Sequence, residues 1–372
     1  MSFPILTSSA EIAAFAADLH REPVIAVDLE ADSMHSYQEK VCLLQFTTPS
    51  TTLLIDPLAG GDLSPLGPIL ANPAIRKIFH AADYDTRCLH RDYGFTIRGL
   101  FDTMVSCQFL GEEKFGLADV LGKYYGVTLD KQYQRADWSQ RPLSPEMIAY
   151  AAADTTHLLP LAVLLEERLR ELGRLDWVAE EFELLEQGQF AQHGGPLFLR
   201  FKGAAALDRR QLAILEELLQ WRNREAERRD KPPFKILGND FLVLLVRNAP
   251  LDIAAVSAIA GLPGWVAERF GKSLLPVIAT ALALPEAELP RFPRTERRER
   301  DPAVDQRLAI LKLWRTAIAK ELALEPGILI NNGLLEEIAR KPPRSLAELE
   351  QIGMKRWQRH VLGAGIVAAL KG

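Results

Sequence analysis

The chain has 372 residues, of which 48% are hydrophobic and 25% are charged, an ordinary composition for a globular protein of two or three domains. Its longest aliphatic run, at residues 241–246, is too short to cross a bilayer, and its first residues lack the basic-then-apolar order of a signal peptide. Three cysteines without paired spacing predict buried thiols in a reducing compartment. We therefore expect a cytoplasmic protein that uses no membrane.

The net charge of −5 is divided unevenly along the chain. Residues 1–171 carry −9, whereas the remaining residues carry +4 and include the basic clusters RNREAERRDK and RFPRTERRER. If the carboxylate-rich part acts on a polyanion, it needs bound metal ions and a basic partner domain that holds the phosphate backbone. A charge asymmetry without functional meaning is the alternative.

The pattern of residues 1–172 predicts an α/β domain. A helix from Ser9 to His20 is opened by a serine cap. Three short apolar strands follow in VIAVDLE, KVCLLQFTT and TTLLID, and a helix–strand–helix unit follows at residues 69–94. Further helices are predicted near residues 102–110, 117–125 and 144–171. Proline interrupts the helical hydrogen-bond ladder, so Pro160 is expected to kink the last of these helices.

The remaining residues are predicted to be helical and to contain an internal repeat. Seven pairs of identical residues are separated by 93 positions without a gap: Trp221 and Trp314, Arg222 and Arg315, Ala226 and Ala319, Pro233 and Pro326, Leu242 and Leu335, Pro250 and Pro343, Ile259 and Ile352. Two copies of one helical module are therefore expected, at residues 205–285 and 302–372. Residues 173–204 are interpreted as a connector and residues 286–301 as a linker.

Asp28 and Glu30 flank Leu29 at the end of a predicted buried strand. Because side chains alternate along a strand, both carboxylates point to the same face. A charged pair in this place is costly unless something binds it. A solvent-exposed strand end is the alternative interpretation of the motif.

Asp85 follows the predicted strand KIFH in a helix that also contains Asp83. Side chains two residues apart on a helix point about 200° apart, so only one of Asp83 and Asp85 can face a shared site. Asp85, which precedes the apolar Leu89, is selected for the site. Asp83 is interpreted as a helix-start residue and His80 as a structural residue at the strand end.

Tyr150 and Asp154 lie four residues apart in a predicted helix and share one face. The three alanines between them remove bulk, so this face can approach another element closely. A tyrosine–aspartate pair on the surface is the alternative. Four carboxylates brought together persist only if cations neutralise them, and oxygen ligands favour Mg²⁺ or Mn²⁺. A pair of such ions serves the attack of water on a phosphodiester.

These stretches, in this order, resemble the three exonuclease motifs of the DEDDy branch of the DEDD 3′–5′ exonuclease superfamily. The segment from FDTMVSCQFL to DTTHLLPL resembles the ribonuclease D family. The duplicated module, with its WR…A…P pattern, resembles two helicase-and-RNase-D C-terminal (HRDC) domains. The resemblance covers nearly the whole chain. It departs from the family at Leu29, where many relatives have threonine, and in the weaker basic character of the second repeat's first helix.

The resemblance implies an α/β ribonuclease H-like exonuclease domain, a mixed sheet flanked by helices, followed by two all-α HRDC-type domains. It implies hydrolysis of RNA from a free 3′ end to nucleoside 5′-monophosphates, with tRNA precursors as substrates and no organic cofactor. Asp28 is expected to bridge two divalent cations. Glu30 and Asp154 complete the site of the cation that carries the attacking water, and Asp85 helps to hold the other. Tyr150 orients the water.

Further residues are candidates for RNA contact, each with a structural alternative. Gln45 is expected to reach the terminal nucleotide or to be a buried amide. Arg135, Trp138 and Arg141 suit phosphate contact and base stacking, or a loop held by its tryptophan. Asp102 corresponds to an aspartate that the family resemblance also suggests, but its place before a helix favours a role as a helix cap. The first repeat contains four further candidates: Arg222, Arg224, Arg228 and Lys231. They either contact a phosphate backbone or form a solvated helix face.

Two other functions remain open from the sequence. One is a DNA 3′–5′ exonuclease of the proofreading or helicase-associated type, against which the duplicated module argues only by resemblance. The other is a non-enzymatic nucleic-acid-binding scaffold with an inactive nuclease domain. The presence of all five expected active-site residues argues against the scaffold.

Overall fold

The computed structural model describes residues 3–188, 194–293 and 301–371. These residues form two compact units. The first unit contains residues 3–31, 40–188 and 301–371, and the second contains residues 32–39 and 194–293. The second helical module therefore belongs to the same unit as the nuclease domain.

A mixed sheet forms the centre of the nuclease domain. Its strands are β1 (Ile5–Leu6), β2 (Val24–Ala31), β3 (Val41–Thr47), β4 (Thr52–Ile55), β5 (Arg76–Phe79) and β6 (Leu100–Asp102). Their order is β1-β4-β3-β2-β5-β6, with β2 antiparallel to β3 and parallel to β5. The four predicted strands are confirmed. The prediction lacks β1 and β6, because strands of two or three residues are too short to show a periodic pattern.

Helices flank this sheet, as predicted. They are α1 (Ser9–Leu19), α2 (Leu66–Ala71), α3 (Ala82–Tyr93), α4 (Thr103–Phe109), α5 (Leu117–Tyr125), α6 (Pro145–Thr156), α7 (Leu158–Glu171) and α8 (Leu175–Leu185). Ser8 and Glu11 form a capping box at the start of α1, which confirms its serine-capped start.

The predicted kinked helix at residues 144–171 is instead two helices, α6 and α7, separated by His157. Pro160 has no N–H to donate to the preceding turn, so the break falls before the proline rather than at it. Pro145–Glu171 is also the one stretch of the described chain with the length and hydropathy of a membrane span. Both helices pack against the sheet, as core helices of this composition do.

The two helical modules have matching elements. The first contains α9 (Arg209–Arg228), α10 (Pro233–Ile236), α11 (Asn239–Asn248), α12 (Ile253–Ser257) and α13 (Gly264–Ala283). The second contains α14 (Pro302–Glu321), α15 (Pro326–Leu329), α16 (Asn332–Arg340), a 3₁₀ turn (Ala347–Gln351) and α17 (Arg356–Ala369). The starts of α10 and α15 differ by 93 positions, as do those of α11 and α16. The predicted repeat is therefore present in the fold.

Helix α8 lies within the segment predicted as a connector and packs against α17 of the second module. Trp357 stacks on Trp177 with ring centroids 5.3 Å apart, and its indole N–H donates to Glu181 at 2.8 Å. Glu180 accepts the backbone N–H groups of Arg356 and Trp357, each at 2.9 Å. An aromatic stack and a carboxylate at a helix start thus hold the second module to the nuclease domain.

Candidate active site

Three of the predicted carboxylates converge where α6 crosses the sheet. Asp28 and Glu30 come from β2 and Asp154 from α6, and one ligand oxygen of each lies within 4.8 Å of the others. Helix α6 packs on β2 and β3, and its Ala151 and Ala152 are fully buried. The alanine run therefore lets the helix approach the sheet closely enough for Asp154 to join the strand pair.

Asp85 reaches the same region from the first turn of α3. Its side chain is buried, and after burial itself the charge of Asp28 raises its pKa, so these two carboxylates are near neighbours. Asp83 is exposed and pairs with Arg87 at 2.5 Å. The structure thus brings Asp85, and not Asp83, to the cluster.

The four carboxyl groups resist ionisation in the absence of a cation. Burial is the largest cause of the raised pKa of Asp28 and of Glu30, and the charges of neighbouring carboxylates add to it. Burial also raises the pKa of Asp154 to about 7, although a hydrogen bond from Tyr150 opposes the shift. Oxygen donors that are partly withdrawn from water and repel one another suit a hard divalent cation, so this set fits the expected metal.

Tyr150 lies beside Asp154 and is packed between two aromatic rings. Its hydroxyl donates to the Asp154 carboxylate, and its ring packs against Tyr133 and Trp138, with centroids 5.9 and 6.0 Å away. Burial, followed by the charges of Asp154 and Glu30, raises its pKa far above the ordinary value. In the metal-free site the phenol therefore keeps its proton and can donate a hydrogen bond.

A cavity of about 90 Å³ opens beside Tyr150 and Asp154. It is bounded by the start of α5 and by residues 129–134, and Lys131 and Gln134 contribute polar side chains to its wall. Neither residue is among the predicted RNA contacts. Both lie in the segment KQYQRADW, in which Arg135 and Trp138 are the predicted contacts, because a cation and an aromatic ring are the residue types typical of RNA binding.

Two of the predicted RNA contacts have structural roles instead. Trp138 is only 1% exposed and packs on Tyr150, so it cannot stack on a base. Arg141 donates to both oxygens of Asp56, at 2.6 and 2.7 Å, and to the carbonyl of Cys42 at 2.7 Å. These bonds tie its loop to the sheet. Arg135 is exposed.

Gln45 lies directly opposite Asp28 in the β2–β3 pair. It is fully buried, and neither amide atom has a hydrogen-bond partner among the described residues. A nucleotide cannot reach a side chain without exposed surface, so the structure favours the buried-amide interpretation over contact with the terminal nucleotide.

In the first helical module, Arg222 also has a structural role. It donates to the carbonyl of Leu237 at 3.0 Å, and its repeat equivalent Arg315 donates to the carbonyl of Ile330 at 2.7 Å. This shared bond fixes the turn after α10 or α15 in each module. The other predicted phosphate contacts, Arg224, Arg228 and Lys231, are exposed.

Asp102 caps α4, as predicted, by accepting the backbone N–H groups of Met104 and Val105 at 2.8 and 3.1 Å. His80 lies at the end of β5 with Nδ1 2.9 Å from the Thr103 hydroxyl. It therefore has the structural position predicted for it. The three cysteines are free and buried, which is also as predicted.

The sheet, the acidic cluster and the duplicated helical module together define a 3′–5′ exonuclease domain joined to HRDC domains. The 3′–5′ exonuclease family matches residues 3–170. The HRDC domain matches residues 211–278 and 305–370, one match in each repeat.

Several ribonucleases D are similar in sequence to most or all of this chain. A ribonuclease D of Gluconacetobacter diazotrophicus is 33% identical over 99% of this chain and 93% of its own length. One of Acidiphilium cryptum is 36% identical over 81% and 78%. The crystal structure of Escherichia coli RNase D, described as an exoribonuclease involved in structured RNA processing, has a TM-score of 0.75 and 27% identity, covering 100% of this chain and 99% of that one.

The chain belongs to the ribonuclease D family. It is a 3′–5′ exoribonuclease, and the predicted fold and activity are confirmed. The exonucleases of this family depend on divalent metal ions, with which the acidic cluster is consistent.

Proposed function

We propose that this exoribonuclease trims the 3′ ends of structured RNA, tRNA precursors among them, with two divalent cations, Mg²⁺ or Mn²⁺, and no organic cofactor. The observation that carries the proposal is the partly buried acidic cluster, in which Asp28, Glu30 and Asp154 bring ligand oxygens within 4.8 Å of one another. Carboxylates gathered this closely and partly withdrawn from water are destabilising unless cations bind them.

Each carboxylate has a role in this proposal. Asp28, Glu30 and Asp154 would hold one cation, and Asp28 together with Asp85 would hold the second. When bound, such cations lower the pKa of water and neutralise the charge that develops on the leaving 3′ oxygen. The protein supplies a rigid set of oxygens on one strand and two helices, so little reorganisation is needed when the reaction occurs.

Tyr150 would orient the attacking water. Its ring is fixed by Tyr133 and Trp138, and its raised pKa keeps the proton on the hydroxyl. The hydroxyl can thus donate to the water oxygen or to the Asp154 carboxylate, and either bond restricts the direction of attack.

The predicted phosphate contacts whose side chains are exposed are Arg135, Arg224, Arg228 and Lys231. Arg228 also pairs with Glu225 at 2.8 Å. A preference for structured RNA is supported by the description of the similar Escherichia coli enzyme. A cytoplasmic location is supported by the three free, buried cysteines.

The test uses one tRNA precursor with a 3′ extension, labelled at either end, with and without a chelator. With a 5′ label, we expect products that shorten stepwise; with a 3′ label, we expect labelled mononucleotide from the first time point. The chelator should stop both reactions, and added Mg²⁺ or Mn²⁺ should restore them. Release of oligonucleotides, or activity in the chelator, would contradict the proposal.

Matched controls address substrate and site. Two control substrates carry the same 3′ extension as the precursor: an unstructured RNA of the same length, and a DNA with the precursor's sequence. Both should be degraded less efficiently than the precursor. Asp85→Asn should lose activity by orders of magnitude, whereas Asp83→Asn, two positions away and exposed, should retain it.

A further inference from the structure

One carboxylate caps the N-termini of two helices at the edge of the active site. Asp102 is the last residue of β6 and is 1% exposed. Besides the N–H groups of Met104 and Val105 in α4, it accepts those of Ala81 at 3.1 Å and Ala82 at 2.7 Å, at the start of α3. A single side chain therefore caps two helices.

The start of α3 depends on this outside acceptor. Its N-cap residue is Ala81, whose side chain cannot accept a hydrogen bond. Ala81 also has a φ of 69°, a left-handed conformation that is unfavourable for a residue with a Cβ atom. Because a helix start leaves N–H groups unsatisfied, the bonds from Ala81 and Ala82 to Asp102 hold this strained turn in place.

Thr103 ties the same junction to β5. Its hydroxyl donates to the carbonyl of Phe79 at 3.0 Å and lies 2.9 Å from Nδ1 of His80. Phe79 pairs with Asp102 in the parallel β5–β6 register. Two adjacent side chains thus join the ends of both strands to the turn that begins α3.

Asp85 is the fourth residue of α3, one turn beyond this junction. We propose that Asp102 is a positioning residue for Asp85: by bonding the first N–H groups of α3, it fixes the direction in which the Asp85 carboxylate faces Asp28, without binding a cation itself. Oδ1 of Asp102 accepts three of the four N–H bonds and Oδ2 accepts the fourth, from Ala82, so both oxygens are engaged by backbone groups. This inference rests on the metal-binding role proposed for Asp85.

The test measures Mn²⁺ binding by calorimetry to the full chain after removal of metal. The variants are Asp85→Asn, Asp102→Asn and the double variant. We expect Asp102→Asn to weaken one Mn²⁺ site about 10- to 100-fold, the usual effect of losing a residue that orients a ligand. In the Asp85→Asn background, Asp102→Asn should weaken binding by no more than about twofold, because the ligand that it positions is already lost.

A destabilised control separates positioning from general loss of stability. Ile12→Ala removes a fully buried side chain of α1 and lowers the thermal midpoint, yet it should leave Mn²⁺ affinity unchanged. If Asp102→Asn does not fold, Thr103→Val takes its place, since it removes the hydroxyl bonds of the same junction and keeps the carboxylate. It should show the same non-additivity with Asp85→Asn.

The outcomes are distinguishable. If Asp85→Asn binds Mn²⁺ like the unaltered protein, the proposed role of Asp85 fails. If Asp85→Asn weakens binding but the junction variant does not, the positioning role of Asp102 alone is overturned. Effects that multiply in the double variant would also overturn it, since they indicate an influence of Asp102 that does not pass through Asp85.

Discussion

Tyr150 illustrates how burial decides the chemistry of a single residue. The phenol lies among carboxylates and aromatic rings, and burial, the largest cause, raises its pKa. Tyr150→Phe keeps the ring between Tyr133 and Trp138 but removes the hydrogen bond that restricts the water. We expect kcat to fall on the order of 100-fold, the effect of a misplaced reacting group, with little change in Mn²⁺ affinity. Single-turnover kinetics and calorimetry measure the two quantities.

Tyr133→Phe is the matched control, because it alters the hydroxyl of a ring that packs on Tyr150. It should leave both kcat and Mn²⁺ affinity near their original values. A Tyr150→Phe variant that loses metal binding in proportion to kcat would show that the tyrosine acts by holding Asp154 and not by orienting water.

The acidic cluster also predicts how the stability of the metal-free protein depends on pH. The pKa of Asp154 is raised from 3.8 to about 7, so between these values the folded state binds a proton that the unfolded chain has released. The free energy of unfolding should therefore fall as pH rises through this window, by on the order of 4 kcal/mol for Asp154 alone. The raised pKa values of Asp28, Glu30 and Asp85 act in the same direction.

Thermal unfolding in a chelator between pH 5 and pH 8 measures this dependence. Asp154→Asn should reduce it by the share of that carboxylate, and saturating Mg²⁺ should flatten it, because a bound cation replaces the protons. Asp83→Asn should leave it unchanged, since that carboxylate is exposed. A metal-free protein that becomes more stable towards pH 8 would contradict the sign.

At the scale of elements, the contact of α8 with α17 links the nuclease domain to the second module. Trp357 is 4% exposed, stacks on Trp177 and meets Phe109 edge-on at 5.3 Å. Trp357→Ala should lower the free energy of unfolding by about 3–5 kcal/mol, as measured by urea titration.

Trp265 provides a matched control for Trp357. It is the second residue of α13, as Trp357 is of α17, but it is 42% exposed. Trp265→Ala should cost much less stability than Trp357→Ala. Equal losses would show that the tryptophan stabilises its own module and not the contact with α8.

Some elements could be predicted because their causes are local. The D-x-E pair on a strand and the Y-x-x-x-D pair on a helix follow from periodicity, and the repeat follows from identities 93 residues apart. Strand β6 could not be predicted, because three residues become a strand only by pairing with β5. The break at His157 differs from the predicted kink because proline acts on the turn before it.

The RNA-contact residues were harder to predict, because composition does not reveal burial. Trp138 and Arg141 have the residue types of a nucleic-acid surface, yet one packs under Tyr150 and the other forms an ion pair with Asp56. Arg222 likewise forms a hydrogen bond within its own module, to the carbonyl of Leu237. Asp102 was predicted as the cap of α4, but its bonds to α3 depend on the meeting of two strand ends and have no local pattern.

For the whole molecule, the division of charge raises the question of which module holds RNA. The nuclease region carries −9 and the remaining residues +4, so basic residues outside the active site should supply much of the RNA affinity. Combined replacement of Arg224, Arg228 and Lys231 by Gln should weaken RNA binding. It should also reduce the slope of log affinity against log salt by about 2, since each lost phosphate contact on a single strand contributes about 0.7.

Fluorescence anisotropy in a chelator measures this slope without degradation of the RNA. The matched control replaces three exposed lysines of the second module, Lys312, Lys320 and Lys341, by Gln, which removes the same charge. If the first module holds the phosphate backbone, only replacement of Arg224, Arg228 and Lys231 should change the slope. A general effect of net charge would instead change the slope equally for both sets, so an equal change in both would indicate an effect of net charge alone. A change confined to the second set would assign RNA binding to the second module and leave the α8–α17 contact as only one of that module's roles.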